Sequence, residues 1–545
     1  MKRLLTLLAG CFLALCAHAG ALDDIVPLPK KAELLKGSFR LSGAPVKCDP
    51  SFDATAREAV AGFAAQLGYV SGRACPFSAP IGLGAAVATG KVKGLIFLKD
   101  NSLAPEAYSL DVSSRRAVVR ASSLNGVLYA LQTLRQLLPA AIYGGKTVDR
   151  QRWVIPACLI EDSPRFAWRG MHLDSSRHFW SVDEVKRYLD VMAMYKLNRF
   201  HWHLTDDQGW RIEIKAYPLL SQIACWREGT MVGRDFDSND GIRYGGFYSQ
   251  EEIREVVEYA AARGITVVPE IDLPGHMLAA LSAYPELGCT GGPYAAWTRW
   301  GVSDQVLCVG KESTFTFLEA VLSEVADLFP GEYIHIGGDE CPKDEWKKCP
   351  ECQALIRRLG LKDDGRFTAE QYLQSYVTKR IQDFLAARGR KIIGWDEILE
   401  GELAPGVTVM SWRGVAGAQE ASRKGFDAIL TPTSHCYFDY RQAEDPAGEP
   451  LGFGGVVTLE RIYSFDPLEG IAPEAAGHIL GVQANLWTEY ISTPEHLEYM
   501  LLPRMLALSE VQWCQEGARD EERFLRVLRE HEYPVLDAAG YNYRK

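Results

Sequence analysis

The sequence lacks the features that mark several non-globular classes of protein. Its 545 residues contain no low-complexity tract and no repeat at solenoid periods, which argues against a disordered or repeat protein. Its positive charges form no basic stripe and the formal net charge is −11, so we expect no nucleic-acid partner. Beyond the N-terminus no run is long and apolar enough to predict a membrane span. The remaining composition, 47% hydrophobic and 24% charged, is that of a folded protein, and the length predicts one large domain with a smaller one.

The N-terminal segment MKRLLTLLAGCFLALCAHAG has the layout of a secretory signal peptide. Lys2 and Arg3 precede a short apolar run, and an A-x-A site ends at Ala19. This layout predicts removal of residues 1–19 and export to the periplasm or the medium. An alternative stays open, because LAGC, which ends at Cys11, resembles a bacterial lipobox. Lipidation of Cys11 would instead give an outer-membrane lipoprotein.

An exported chain can form disulfides, and this one has 13 cysteines, two of them in the predicted signal peptide. Cys289 and Cys308 flank a loop rich in Gly, Trp and Pro, which makes them one candidate pair. Cys48 and Cys75 form a second candidate pair. Because the number of mature cysteines is odd, we expect at least one thiol to be free or paired outside the chain.

Three further cysteines have the C-x7-C-x2-C spacing of a metal knuckle: Cys341, Cys349 and Cys352. The sequence offers no fourth ligand at a suitable spacing. We therefore expect no structural zinc ion at this segment, and the pairing of its thiols stays open.

Residues 22–158 are expected to form a small α+β domain. The segments YSLDVSS and RAVVRAS, within 108–122, alternate polar and apolar residues as a β-hairpin does. From Leu124 to Leu138 the apolar residues recur at helical spacing. Strands followed by a helix are typical of the α+β class.

Residues 160–545 repeat a pattern of strand, loop and helix. Several strands are continuously apolar, as parallel strands covered on both faces are. Capping boxes at Ser181, Ser249 and Thr368 indicate where intervening helices begin. Eight strands are predicted, at 168–174, 198–204, 265–271, 333–337, 391–395, 407–412, 428–432 and 479–487. Eight such units predict an α/β fold of the (β/α)8 TIM-barrel type, in which chemistry occurs at the C-terminal ends of the strands.

Acidic, basic and aromatic residues gather at these predicted strand ends. In strand order they are Asp174, Arg177, His203, Asp206, Asp207, Glu270, Asp272, His276, Asp339, Glu340, Trp395, Trp412, Tyr437, Asp439, Trp487 and Glu489. Indole faces pack against the C–H face of a sugar, and carboxylates and Arg bind its hydroxyl groups. Each residue alone could be structural, but together at one barrel mouth they predict a carbohydrate pocket.

Asp339 and Glu340 are adjacent, in the stretch YIHIGGDE, which is unusual for a catalytic pair. Ordinary glycosidases hold their carboxyls ~5 Å or ~6.5–9.5 Å apart across the sugar. Adjacent side chains diverge, so we expect one acid to protonate the leaving oxygen and the other to hold an attacking substrate group, such as a 2-acetamido carbonyl. Their repulsion should raise the pKa of one acid, as a general acid requires. The preceding glycines should let a sugar approach the backbone.

The sequence resembles the family 20 glycoside hydrolases, the exo-β-N-acetylhexosaminidases. The resemblance rests on RGMHLDSSRHF (169–179), KLNRFHWHLTDDQGWRIEI (196–214), VVPEIDLPGH (267–276), YIHIGGDE (333–340), GWDEIL (394–399), YFDY (437–440) and NLWTEY (485–490), which follow the family's order. The preceding domain resembles the family's N-terminal companion. The resemblance implies retaining, substrate-assisted removal of terminal β-linked GlcNAc or GalNAc from glycans, with no cofactor and no metal.

The resemblance also implies catalytic roles. Glu340 would be the general acid and later the general base. Asp339 would orient the 2-acetamido group and stabilise the oxazolinium intermediate, and Tyr437 would bond to the acetamido carbonyl oxygen. Asp206 and His276 would lie behind Glu340 and adjust its acidity.

Further residues are implied to bind the substrate. Arg177 and Glu489 would hold the 3- and 4-hydroxyls, and Asp439 the hydroxyls near C4 and C6. Three tryptophans would wall the acetamido pocket and the sugar face, namely Trp395, Trp412 and Trp487. The choice between GlcNAc and GalNAc and the oligomeric state are not indicated by the sequence.

Two functions of other classes stay open. His201 and His203 on the second strand, with Asp272 and His276, resemble part of a metal-dependent amidohydrolase site. The second alternative is an inactive glycan-binding barrel, although such a protein should lack one of the paired acids. An ordinary two-carboxylate retaining glycosidase is a third reading within the same enzyme class.

Overall fold

The structure, a computed structural model, describes residues 22–545 and contains two domains. The first is built on a mixed sheet of strands β1 (Lys31–Arg40), β2 (Val46–Cys48), β3 (Phe77–Ser78), β4 (Gly94–Lys99), β5 (Tyr108–Val112), β6 (Arg116–Ala121) and β7 (Val154–Asp162). Their order is β1-β7-β5-β6-β4-β2-β3, and β5 and β6 form the predicted antiparallel hairpin. The predicted signal peptide and lipobox lie outside the described residues.

Two helices, Ala54–Ser71 and Leu124–Gln136, bury their apolar faces in the core of this domain. Their first turns are capped by the side chains of Asp53 and Ser123, which accept hydrogen bonds from otherwise unpaired backbone N–H groups. A shorter helix, Leu83–Ala88, contributes to a small apolar cluster of its own. The domain is α+β, as predicted, and its last strand continues past residue 158.

The second domain is a closed barrel of eight parallel strands. They are β8 (Trp168–Asp174), β9 (Arg199–His203), β10 (Thr266–Glu270), β11 (Tyr333–His335), β12 (Lys391–Trp395), β13 (Thr408–Ser411), β14 (Asp427–Leu430) and β15 (Ile479–Ala484). Each strand pairs with the next one along the chain, and β15 pairs with β8 to close the barrel. All eight predicted strands are present, which confirms the (β/α)8 fold.

Helices and short strands complete this domain. The helices are Val182–Met194, Gln250–Ala261, Leu278–Ala283, Glu312–Leu328, Asp344–Lys348, Pro350–Leu359, Ala369–Ala386, Ala416–Arg423, Thr433–Cys436, Leu459–Tyr463, Pro494–Leu501, Arg504–Trp513, Glu521–Val527 and Tyr533–Ala539. Two-stranded pairs are formed by Thr205–Asp206 with Gly209–Trp210, Trp226–Arg227 with Tyr244–Gly245, and Tyr440–Arg441 with Phe453–Val456. The three predicted capping boxes are formed. Within residues 22–545 no helix combines the length and apolar character that a membrane span needs.

The first domain packs against the N-terminal ends of the barrel strands. Lys196, just before β9, forms a fully buried ion pair with Asp162 at 3.0 Å, and the indole N–H of Trp513 donates to Asp162 at 2.9 Å. Arg169 in β8 pairs with Glu106 of the first domain at 2.7 Å. Buried charges that lose a partner are costly, so these pairs hold the junction in one arrangement. The opposite, C-terminal end of the barrel is left for the site.

Neither predicted disulfide is formed. All eleven cysteines of the described residues are free, including Cys48 and Cys75. The pairing expected for Cys289 and Cys308 was wrong because their sulfur atoms join two others from a distant segment. The resulting cluster consists of Cys289, Cys308, Cys349 and Cys352.

Candidate active site

One pocket lies at the C-terminal ends of the barrel strands. Its walls are Arg177, His276, Asp339, Glu340, Trp395, Trp412, Tyr437, Asp439, Tyr440, Phe453, Trp487 and Glu489. The pocket walls therefore include every residue to which a catalytic or substrate-binding role was assigned except Asp206, which lies buried behind them. Five other residues of the predicted strand-end set are likewise buried and do not line the pocket, namely Asp174, His203, Asp207, Glu270 and Asp272. Tyr440 and Phe453 were not predicted.

Asp339 and Glu340 follow β11 through a left-handed turn. The φ angle is 63° at Gly337 and 98° at Gly338. A Cβ on Gly337 would lie 1.7 Å from Oδ1 of Asp272, and the backbone N–H of Gly338 donates to the same oxygen at 3.2 Å. The first glycine therefore makes room for a neighbouring carboxylate, and neither glycine is among the residues that line the pocket.

Glu340 and His276 have positive φ angles, 44° and 51°, although neither is glycine. Such a conformation costs about 1–3 kcal/mol and persists only where the surroundings enforce it. Elsewhere in the described chain only Arg150 and Lys196 share this feature among non-glycine residues. Two of these four strained residues therefore face the pocket.

His276 bridges two pairs of acids. Its Nδ1 lies 3.0 Å from Asp206 and 3.2 Å from Asp207, and its Nε2 lies 3.6 Å from Glu340 and 3.8 Å from Asp339. Burial disfavours the charged ring, but the Asp206 carboxylate outweighs it and raises the pKa of His276 well above its ordinary value. A buried imidazolium therefore stands beside the acid pair.

The two adjacent acids have opposite pKa shifts. Burial raises the pKa of Asp339 to about 6, with the His276 charge opposing this and the Glu340 charge adding to it. The contact with His276 lowers the pKa of Glu340, and burial opposes that change. We expected a raised pKa on the general acid, but the rise falls on Asp339. The His276 contact is the main influence on the pKa of Glu340, whereas burial is the main influence on that of Asp339. The exposure of the side chains agrees with this, because 40% of the Glu340 side chain is accessible, against 13% of the Asp339 side chain.

Three carboxylates in the pocket each have a buried oxygen that no group of residues 22–545 satisfies. They are Oδ1 of Asp339, Oδ1 of Asp439 and Oε2 of Glu489. Burial also raises the pKa of Asp439 well above its usual range and raises that of Glu489. Because buried polar atoms are nearly always paired, these oxygens are suited to accept hydrogen bonds from a ligand rich in O–H and N–H groups.

Arg177 is fixed before any ligand binds. Its guanidinium contacts Asp206 at 2.9 Å, Gln208 at 2.9 Å and Asp174 at 3.3 Å. It also lies 5.1 Å from the ring centre of Trp487. These contacts explain the position of Asp206, which holds both Arg177 and His276 without reaching the pocket itself.

Aromatic rings form two walls of the pocket. Trp412 and Tyr437 are stacked with centroids 6.2 Å apart, and Trp395 and Trp487 are 5.9 Å apart. The indole N–H of Trp412 donates to Glu397 at 2.9 Å. Glu397 was missed as a positioning residue, although it lies within the GWDEIL stretch. Burial, aided by the Asp339 charge, raises the pKa of Glu397 to about 8.

The two pocket residues that we did not predict come from a loop region. Tyr440 and Phe453 stack with centroids 6.4 Å apart, and they lie on the short paired strands at the pocket edge. Tyr440 ends the YFDY stretch and could have been found there. Phe453 lies in a glycine-rich segment with no periodicity, so no local pattern indicated it.

The residues proposed for a metal-dependent hydrolase do not converge. His201 and His203 both contact Glu270 in the barrel interior. Asp272 and His276 instead group with Asp206, whose second oxygen bonds to His203 at 2.9 Å without bringing His203 into that group. The two halves of that hypothetical ligand set therefore belong to different clusters.

Comparison with known proteins places this arrangement in a family. The sequence model described as glycosyl hydrolase family 20, catalytic domain, matches residues 166–516, and the model of the family's domain 2 matches residues 23–163. A solved exo-β-N-acetylglucosaminidase from Vibrio harveyi, in complex with N-acetylglucosamine, is 35% identical with a TM-score of 0.82. The match covers 96% of this chain and 78% of that one.

Two curated relatives are longer than this chain. A β-hexosaminidase of Porphyromonas gingivalis is 46% identical over 443 residues, which is 81% of this chain and 55% of the relative. A β-hexosaminidase of Vibrio furnissii is 40% identical over 420 residues, which is 76% of this chain and 66% of the relative. The matched part thus spans less than two thirds of either relative.

Proposed function

The chain belongs to glycosyl hydrolase family 20, and on that basis we propose that it is an exo-acting β-N-acetylhexosaminidase. It would remove terminal, non-reducing β-linked GlcNAc or GalNAc from glycans with retention of configuration. The attacking nucleophile would be the carbonyl oxygen of the substrate's own 2-acetamido group. Asp339 and Glu340 would serve this one reaction in different roles.

The observation that carries the proposal is the unsatisfied, buried Oδ1 of Asp339 beside Glu340. An acetamido N–H is a donor that this oxygen can accept from, and that hydrogen bond would aim the carbonyl oxygen at C1. With a pKa of about 6, Asp339 is mostly ionised at pH 7 and stabilises the positive oxazolinium as it forms. The aromatic pair Trp412 and Tyr437 would enclose the acetamido group, with the Tyr437 hydroxyl donating to its carbonyl oxygen.

In the first step the acetamido oxygen attacks C1 while the bond from C1 to the leaving oxygen breaks. Glu340 donates a proton to that oxygen and becomes a carboxylate. In the second step the same carboxylate takes a proton from water, which attacks C1 and opens the oxazolinium ring. His276 keeps Glu340 ionised in the free enzyme, and a bound sugar would cover the exposed carboxyl and favour its neutral, proton-donating form.

The remaining polar residues would select the sugar. Glu489 and Asp439 each offer a buried, unsatisfied oxygen to the hydroxyls at C3, C4 and C6. Arg177, held rigidly by three acceptors, would donate to the same edge of the ring. A sugar that loses one of these hydroxyls should bind much more weakly, because a buried carboxylate would then lack its donor.

We further propose that the protein is exported, on the strength of its N-terminal sequence. Mass spectrometry of the mature N-terminus in the native host distinguishes cleavage after Ala19 from a lipid-modified Cys11. A mature chain that retains its first residues would contradict both forms of the export proposal.

A panel of p-nitrophenyl glycosides tests the proposed activity. We expect hydrolysis of the β-GlcNAc or β-GalNAc substrate and negligible hydrolysis of the β-glucoside, which has no acetamido group. Cleavage of the glucoside at a comparable rate would contradict the mechanism. A thiazoline analogue of the oxazoline should inhibit strongly, whereas an ordinary retaining glycosidase would bind it poorly.

A further inference from the structure

A cluster of four cysteine thiols lies next to the loops that carry the candidate active site. Cys289 and Cys308 belong to the segment after β10, and Cys349 and Cys352 belong to the segment after β11. The Sγ atoms lie 3.5 Å apart for Cys308 and Cys349, 3.7 Å for Cys308 and Cys352, and 4.0 Å for Cys289 and Cys352. All four sulfur atoms lie within 4.8 Å of one another.

These distances match a tetrahedral metal site. Four thiolates bound to zinc at about 2.3 Å stand at tetrahedral edges of about 3.8 Å. A disulfide would require a sulfur–sulfur distance of about 2.05 Å, far shorter than any of these contacts. We therefore propose that Cys289, Cys308, Cys349 and Cys352 bind one Zn²⁺ ion as a closed, structural site. Thiolate sets of this kind select zinc or iron, and a lone tetrahedral S4 site fits zinc.

The backbone around the cluster is arranged to present the ligands. Cys349 immediately precedes the helix Pro350–Leu359, and Cys352 lies in the first turn of that helix. A Cβ on Gly310 would lie 2.2 Å from the carbonyl carbon of Glu351, so only glycine lets the two segments approach this closely. Cys308 and Cys352 are fully buried and Cys349 is 5% exposed.

One hydrogen bond joins the two segments at the cluster, and two more support Cys308 within its own segment. The indole N–H of Trp346 donates to the Leu307 carbonyl at 2.9 Å, and the backbone N–H of Cys308 donates to Leu287 at 2.7 Å. The hydroxyl of Thr314 donates to the Cys308 carbonyl at 2.7 Å. The ligands therefore sit on a supported framework and not on independent loops.

Spacing along the chain did not indicate this set of four cysteines, for a physical reason. It grouped Cys349 and Cys352 with Cys341, but the Cys341 sulfur points to its own neighbour Pro342 at 3.8 Å and lies outside the cluster. The missing ligands come from a segment about 40 to 60 residues earlier, which only the barrel topology brings near. Spacing along the chain could not reveal them.

The site would fix the relative position of two catalytic loops. The segment after β10 carries Asp272 and His276, and the segment after β11 carries Asp339 and Glu340. A zinc ion with four protein ligands has no open position for substrate, so its contribution would be to folding and loop placement. It would take no part in the hydrolysis.

Metal and thiol counts on the wild-type full chain test this proposal. The protein is purified without chelator, reductant or added metal. Zinc is measured by inductively coupled plasma mass spectrometry, and thiols by Ellman's reagent after unfolding in denaturant with EDTA. We expect about one zinc per chain and as many thiols as in a fully reduced sample. Absence of zinc would overturn the proposal in either of two cases. If the thiol count is four below that of the reduced sample, the cluster forms two disulfides; if the counts are equal, its thiols are free.

A matched pair of variants assigns the metal to the cluster. Cys352→Ser should lower the zinc content at least tenfold and lower the melting temperature. Cys436→Ser removes an equally buried thiol outside the cluster and should retain the metal. Retention of zinc by the first variant would contradict the assignment, and if that variant fails to fold, the wild-type counts still decide.

Discussion

Replacing the Asp339 carboxylate by an isosteric amide should separate its charge from its shape. Asp339→Asn removes the negative charge that faces the oxazolinium. For two unit charges about 4 Å apart at an effective dielectric constant of about 20, the interaction is about 4 kcal/mol. The low dielectric constant is justified because Asp339 is enclosed. At about 1.4 kcal/mol per decade, the loss in kcat/KM at pH 7 should be about 10³-fold.

The pH dependence gives a second, independent readout. The assay uses 2,4-dinitrophenyl N-acetyl-β-glucosaminide, whose leaving group needs no proton, so the protonation of Glu340 does not affect the result. The ionised form of Asp339 is the active one and its pKa is about 6. The wild-type kcat/KM should therefore hold above pH 6 and fall about tenfold for each pH unit below it. Asp339→Asn should show no such fall, because it has no carboxyl to protonate.

Substrate affinity should change little in this variant, since the amide keeps the size of the side chain. Asp344→Asn, the same change at an exposed position of the short helix that follows, serves as the control and should leave both the rate and the pH profile unchanged. Near-normal turnover by Asp339→Asn would refute the reasoning. A fall in the kcat/KM of this variant below pH 6, like that expected for the wild type, would refute it as well.

Three further changes test other parts of the site. Glu340→Gln should lower turnover on unactivated glycosides by several orders of magnitude and lower turnover on the dinitrophenyl substrate far less. Equal losses on the two substrates would exclude Glu340 as the acid. Arg177→Lys loses the planar guanidinium with its several N–H donors, and it should raise KM for the full sugar more than for its 4-deoxy analogue. An equal rise for both sugars would argue against a hydroxyl contact. Gly337→Ala places a Cβ against Asp272, whereas Gly360→Ala has a similar φ and open space around it. Urea unfolding should show the first costing about 1–3 kcal/mol more than the second, and equal costs would remove the clash argument.

The strands were predictable because their cause is local. The central residues of runs such as ITVVPEI and KIIGW are apolar without alternation, which is the pattern of a parallel strand covered on both faces. The polar residues that end these runs could be predicted to lie together, because the C-terminal ends of all eight strands of such a barrel meet at one mouth. For this reason Asp439 and Glu489, far apart along the chain, could be assigned to one pocket.

Features that depend on three-dimensional exposure could not be predicted. Adjacency indicated that Asp339 and Glu340 would have different pKa values, but which one rises depends on their unequal burial and on the imidazolium of His276. The same holds for Phe453, which reaches the pocket from an irregular segment without a repeating pattern. The positive φ of Glu340 likewise follows from the packing of the turn, because a glutamate by itself does not favour that conformation.

The central claim is that the substrate's acetamido group is the nucleophile. A series of p-nitrophenyl β-glucosaminides with N-acetyl, N-fluoroacetyl, N-difluoroacetyl and N-trifluoroacetyl groups tests it directly, since each fluorine withdraws electrons from the carbonyl oxygen and weakens its attack. The account predicts that kcat/KM falls steeply and steadily along the series. A rate that does not depend on the number of fluorine atoms would contradict it.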